Sequence, residues 1–109
     1  MPYDERLAER IREVLVAEAD VTEQKMFGGL SFLVAGNLAV VASGRGPLMV
    51  RVGPDAGPGL VGDGVQPVAM GARTMKGWLD VDLAKVARRA QLERWVGRGV
   101  AFARTLPPK

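Results

Sequence analysis

Histidine and cysteine are both missing from this chain. Without cysteine there is no disulfide framework, no thiolate metal site and no thiol nucleophile. Without histidine a Ser-His-Asp triad is excluded. No P-loop lysine pattern occurs either. The chain also lacks a long apolar run: stretches such as Leu38 to Ala42 fall far short of the about 20 residues a membrane-spanning helix needs. The segment from Asp4 to Glu13 is densely charged and leads to no small-residue cleavage site, so a secretory signal is not expected. These absences predict a soluble, cytoplasmic protein with no membrane role and no legible active site.

What is present describes one ordinary globular domain. At 109 residues, 48% apolar and 25% charged, the chain can bury a single core without staples and cannot comfortably hold two. The net charge of +3 is mild but uneven. Beyond Asp82 the chain carries Lys85, Arg88, Arg89, Arg94, Arg98, Arg104 and Lys109 against the single acid Glu93. Arg94 and Arg98 share the outer face of a terminal helix, with Lys109 beyond, and could meet nucleic-acid phosphate. The competing explanation is a solvated helix face, which charge runs commonly are.

Hydrophobic periodicity sets out the elements. Leu7, Ile11, Val14 and Leu15 form one apolar stripe of a helix from about Glu5 to Glu18, with Asp4 as its N-cap. Lys25 to Ala35 and Leu38 to Ser43 read as two strands of a hairpin joined at Gly36-Asn37, since those residues accept the positive φ of a tight turn. Leu48 to Val52 alternates like a half-buried strand. Gly53 to Gly64 is so rich in glycine and proline that it reads as a mobile loop. Strand character returns at Val65 to Met70, an edge by virtue of Pro67. It returns again at Met75 to Val81, where Met75, Gly77, Leu79 and Val81 face one way and Lys76, Trp78, Asp80 and Asp82 the other. A last helix carries Leu92, Trp95, Val96, Gly99, Ala103 and Leu106 and stops at Pro107-Pro108. An unbroken helix from Leu83 would bury Arg88 and Arg89, which is too costly. A separate turn from Leu83 to Ala87 and a fresh start near Arg89 are therefore expected. The pattern predicts an α+β, two-layer domain spanning 1–109, with a mainly antiparallel five-stranded sheet packed by its N- and C-terminal helices.

Several motifs invite a chemical reading. Gly57-Pro58-Gly59-Leu60-Val61-Gly62 matches G-x-G-x-x-G, but Asp63 to Pro67, immediately beyond it, is a poor helix opening. A dinucleotide pyrophosphate needs a helix N-terminus behind the glycines. Asp80 and Asp82 share a strand face, yet no further ligands accompany them. One is expected to cap the next turn and the other to face water. No catalytic, cofactor-binding or metal-binding residues are therefore assigned. Lys25-Met26-Phe27-Gly28-Gly29 is notable for paired glycines within a strand, which mark a bulge or a close backbone approach. Gly77 beside Trp78 can do the same. Trp78 is either an exposed anchor for a partner or a ring laid flat over the sheet; Trp95 is expected in the core.

The run Lys25-Met26-Phe27-Gly28-Gly29, the strand Leu48-Met49-Val50-Arg51-Val52, the segment Met75-Lys76-Gly77-Trp78 and the tail from Trp95 to Pro107 together resemble the TfoX/Sxy N-terminal domain. The resemblance covers Tyr3 to Pro108 and is most specific at Lys25 to Gly29. It implies a compact α+β domain with an antiparallel sheet, like secretion chaperones, and a link to transcriptional control of competence, where members act as coactivators beside the cyclic-AMP receptor protein. No catalytic residues come with it. The full-length regulators carry a second helical domain, whereas this chain ends at Lys109 and is expected to stand alone.

The expectation is a non-enzymatic regulatory or protein-interaction module. Its candidate contacts are Lys25, Met26, Phe27, Gly28, Gly29, Lys76, Gly77 and Trp78, and the resemblance points to the transcription machinery as partner. Direct DNA binding through Arg94, Arg98 and Lys109 is one alternative. A small-ligand pocket near Gly28, Gly29 and Trp78 is another. A homodimer would cover an exposed sheet edge.

Overall fold

A computed structural model describes residues 3–26, 28–70 and 72–109. Helix α1 spans Glu5–Leu15, and the Asp4 carboxylate accepts hydrogen bonds from the N–H groups of Arg6 and Leu7 at 2.9 and 3.1 Å. Two of the helix's orphan donors are thereby satisfied, as an N-cap requires. Six strands follow: β1 (Val21–Met26), β2 (Gly29–Val34), β3 (Asn37–Ala42), β4 (Leu48–Arg51), β5 (Val65–Met70) and β6 (Arg73–Val81). A helical turn, α2 (Gly57–Leu60), lies between β4 and β5. A short 3-10 turn (Leu83–Val86) precedes the last helix, α3 (Arg89–Arg104).

All neighbouring strands run antiparallel, in the order β1-β2-β3-β4-β6-β5. The sheet thus has six strands rather than the expected five. The error lies at Lys25–Ala35, which is two strands: Met26 pairs with Gly29 across a tight turn. The strand β1, Val-Thr-Glu-Gln-Lys-Met, is solvent-exposed through its middle, so it carries no apolar alternation to announce it. The second turn also shifts by one residue. Val34 pairs with Asn37, which leaves Ala35 (φ 51°) and Gly36 (φ 85°) at its corner. Positive φ at both corner positions is the geometry that suits the twist of a two-residue hairpin.

Both helices cover one face of the sheet. Leu7, Ile11 and Leu15 of α1 and Leu92, Val96 and Val100 of α3 bury against Phe32, Val34, Val40, Leu48, Val50, Leu79 and Val81. Each such aliphatic contributes about 1.5–3 kcal/mol on leaving water. The α3 helix seats very close: a Cβ at Gly99 would lie 2.5 Å from the Ala39 carbonyl oxygen. Its start is where charge burial requires it. The Gln91 side chain accepts the Arg88 backbone N–H at 3.0 Å, and Arg10 from α1 donates to the Val86 and Ala87 carbonyls at 2.6 and 3.2 Å. Arg88 and Arg89 stay exposed.

The opposite face holds a second, smaller cluster of Val41, Met49, Val68 and Trp78, joined by Leu38 and Met75. Among the described residues the cluster includes none from α1, α2 or α3. Pro67 pairs with Leu79 but Val68 pairs with Met75, so Lys76, Gly77 and Trp78 have no partner on β5 and the β5–β6 hairpin bends at this bulge. Val68 thereby joins Met49 and Val41, two and three strands away from β5 in the sheet order, and Met75 packs against the same cluster. The buried Trp78, 8% exposed, is a ring laid over the sheet and not an exposed anchor.

The glycine-rich stretch is not wholly irregular. Pro58 sits in the first turn of α2, where a fixed φ and a missing N–H cost nothing. The N–H groups of Gly62 and Val65 each donate to the other residue's carbonyl at 3.0 Å. Among the described residues no helix is long and apolar enough to cross a membrane.

A candidate binding groove between the glycine–proline turn and β6

The turn after β4 is hung on β6 at one residue. The Gly77 carbonyl accepts both the Val52 and Gly53 N–H groups, at 2.8 and 3.1 Å, and the Gly57 N–H returns to Gly53 at 3.1 Å. Gly77 has φ 86°, and a Cβ there would lie 3.0 Å from both Gly53 C and Pro54 N. Only glycine lets the two backbones pass so closely without strain. The outcome is an open groove of about 410 Å³. Pro54, Gly57, Pro58 and Val61 form one wall; Pro67 and the β6 segment from Thr74 to Leu79 form the other.

The groove is apolar, with two polar side chains in its lining. Thr74 supplies a hydroxyl and Lys76 an exposed ammonium. Val61, on the groove wall, is 45% exposed. Below, the Arg51 guanidinium lies 6.0 Å from the Trp78 ring centroid and 5.4 Å from that of Phe102. These cation–π contacts, each worth about 0.5–2 kcal/mol, tie the groove floor to α3. The arrangement can desolvate an apolar group and offers a cation at its rim. Among the described residues its lining holds no carboxylate and no paired acid and base.

The sequence candidates are divided by this geometry. Lys76, Gly77 and Trp78 line the groove. Lys25, Met26, Gly28 and Gly29 do not; they belong to the β1–β2 hairpin, at the sheet end marked by Ala42, Leu48 and Val81. Phe27 lies outside the described residues. A single pocket joining Gly28, Gly29 and Trp78 is therefore not formed. The close approach expected at the paired glycines is real but structural, since a Cβ on Gly29 would run into the Ala42 carbonyl oxygen.

The basic helix is partly neutralised. Arg89 donates to Glu93 at 2.8 Å, and Arg104 binds Glu18 and the Ala19 carbonyl at 2.9 Å each. Arg98 stacks 4.5 Å over Trp95, and Arg94 stays exposed. Lys109 is apart from them: its N–H donates to the Ala35 carbonyl at 2.8 Å, at the β2–β3 turn. The G-x-G-x-x-G run lies within α2 and its exit, so its glycines do not precede a helix that could hold a pyrophosphate. Asp80 binds Arg45 through both oxygens, at 2.9 and 3.0 Å, and this pairing raises the Arg45 pKa. Asp82 precedes the 3-10 turn without a side-chain cap, so the expected division of roles between the two does not hold. Among the described residues no cluster of three acidic residues could hold a metal ion.

The wall formed by Pro54, Pro58 and Val61 was not among the sequence candidates. A signal existed: a valine beside prolines in a breaker-rich stretch, set before a strand with its own Gly-Trp pair. Comparison with family models gives a match over residues 13–103 to the TfoX N-terminal domain. No curated protein and no solved structure matched.

Proposed function

The chain belongs to the TfoX N-terminal domain family, and from that premise we propose that it is a non-enzymatic interaction module of a regulatory system, binding a protein partner in the groove between α2 and β6. The observation that carries this reading is the groove itself. It is apolar, open and walled by conformationally restricted prolines, and rigid walls reduce the ordering cost of association. The ligand it suits is a short hydrophobic segment with an acidic flank for Lys76.

The test is a photoreactive residue at Val61, whose exposure keeps the fold out of the result. A discrete polypeptide adduct, lost when the exposed Lys76 is changed by Lys76→Glu, is the expected outcome. A groove that gives no polypeptide adduct, but whose melting temperature rises with a metabolite, would replace the partner with a small ligand.

A further inference from the structure

The sheet ends in β1 on one side and β5 on the other, and of the two only β1 retains a regular row of outward backbone groups. The Ala35 N–H donates to the Asp20 carbonyl at 2.9 Å, and Val21 stands opposite Val34. Antiparallel ladders alternate strictly, so Asp20, Thr22, Gln24 and Met26 direct their N–H and C=O groups to β2. Val21, Glu23 and Lys25 direct theirs outward. An exposed edge of this kind is a template for another strand.

The side chains specify which strand. We propose that β1 pairs antiparallel with β1 of a second copy of this chain, about a two-fold axis at Gln24, joining the two six-stranded sheets into one. In that register Glu23 faces the other copy's Lys25 and Lys25 faces its Glu23, so both charge pairs have opposite sign. These are also the residues whose backbone groups point outward, and each pair exchanges two hydrogen bonds. Gln24 meets itself in the closer, non-hydrogen-bonded position. Shifting the axis to Glu23 or Lys25 sets like charges directly opposite, which is destabilising. Charges on an edge usually discourage pairing; here their order about Gln24 is self-complementary. Glu23 is held ready on the helix face by Arg12, at 2.7 and 2.9 Å, while Lys25 has no ion pair among the described residues.

Sedimentation equilibrium on the full chain tests this, with variants at solvent-exposed positions. The wild type should dimerise. Glu23→Lys and Lys25→Glu should each weaken the dimer about tenfold or more, from like charges set face to face. Mixing these two variants should restore it, as should the double variant E23K/K25E. Because the protein has no cysteine, Gln24→Cys should form a disulfide-linked dimer under mild oxidation, and Thr22→Cys, which sits opposite Met26, should not. A wild type that stays monomeric at several hundred micromolar overturns the proposal. So does dimerisation unaffected by either charge reversal, or equal crosslinking at Thr22 and Gln24.

Discussion

The two edges of the sheet are built on opposite plans. At β5, the Val65 N–H and C=O are both taken by Gly62 at 3.0 Å, and Pro67 has no N–H to offer. The Asp82 N–H donates to Gly64 and Val65 pairs with Val81, so the alternation turns Val65 and Pro67 outward. These are the positions where a free donor would be a hazard. Beyond them the hairpin bends at the bulge. At β1 there is no proline, no bulge in the pairing with β2, and an outward row at Val21, Glu23 and Lys25. One edge has been closed from within the chain, and the other has been left with a charge pattern as its only control.

The same contrast extends to what each edge contributes to stability. β5 and β6 carry Val68, Met75 and Trp78 into the second cluster, whereas the middle of β1 is exposed on both faces. Substitutions of Val68, Met75 or Trp78 should therefore act mainly on folding, whereas the middle of β1 is free to act on association.

The largest effect is expected for Trp78→Ala. Emptying the second cluster should cost about 3–5 kcal/mol, read as a lower midpoint in urea unfolding, and should open the groove floor. Gly77→Ala should cost about 2–4 kcal/mol, combining a positive φ with crowding against Gly53 and Pro54; a loss below about 1 kcal/mol would show that the turn slides aside freely. Pro67→Val should leave stability within about 1 kcal/mol while giving β5 an outward N–H. Concentration-dependent light scattering should then rise, which would sharpen the claim that proline guards this edge.

The smallest effect belongs to Glu23→Gln. Its hydrogen bonds to Arg12 hold the Glu23 carboxyl below its ordinary pKa, but both side chains are substantially exposed, at 43% and 35%, so screening keeps the contribution near about 0.2–1 kcal/mol, which is what exposed pairs yield. A lowered folded-state pKa means that this stabilisation is present above the unfolded value of about 4.3. It is lost as pH falls through the lower folded value. Wild type and variant should thus differ at about pH 7, well above the unfolded value, and converge as the pH falls through the lowered folded-state value, as measured by urea unfolding across pH.

Much of the fold was legible. The α1 stripe, its Asp4 cap, the β4 alternation, the edge character of the Pro67 strand and the restart of α3 at Arg89 all follow from rules that act over a few residues. The candidate site was legible only in part. Gly77 and Trp78 stood out for their residue types, but which surface they would line depended on where the turn after β4 came to rest. Burial of Trp78 was equally undecided, because the atoms that cover it come from Val68, Met49 and Val41. The strand β1 left no periodic signal, since neither of its faces is buried at its centre.

By itself the sequence determined the chemistry available and the local elements. It excluded histidine and thiol chemistry, placed the apolar stripes, and set the charge order Glu23-Gln24-Lys25 that makes β1 self-complementary. Only the tertiary structure decided that β1 is an edge, that Gly62 and Pro67 close the opposite one, and that Pro54 and Pro58 meet β6 to form a groove. Backbone angles and periodicity are encoded by near neighbours, whereas an edge is defined by which strand fails to arrive. That depends on how the whole chain packs.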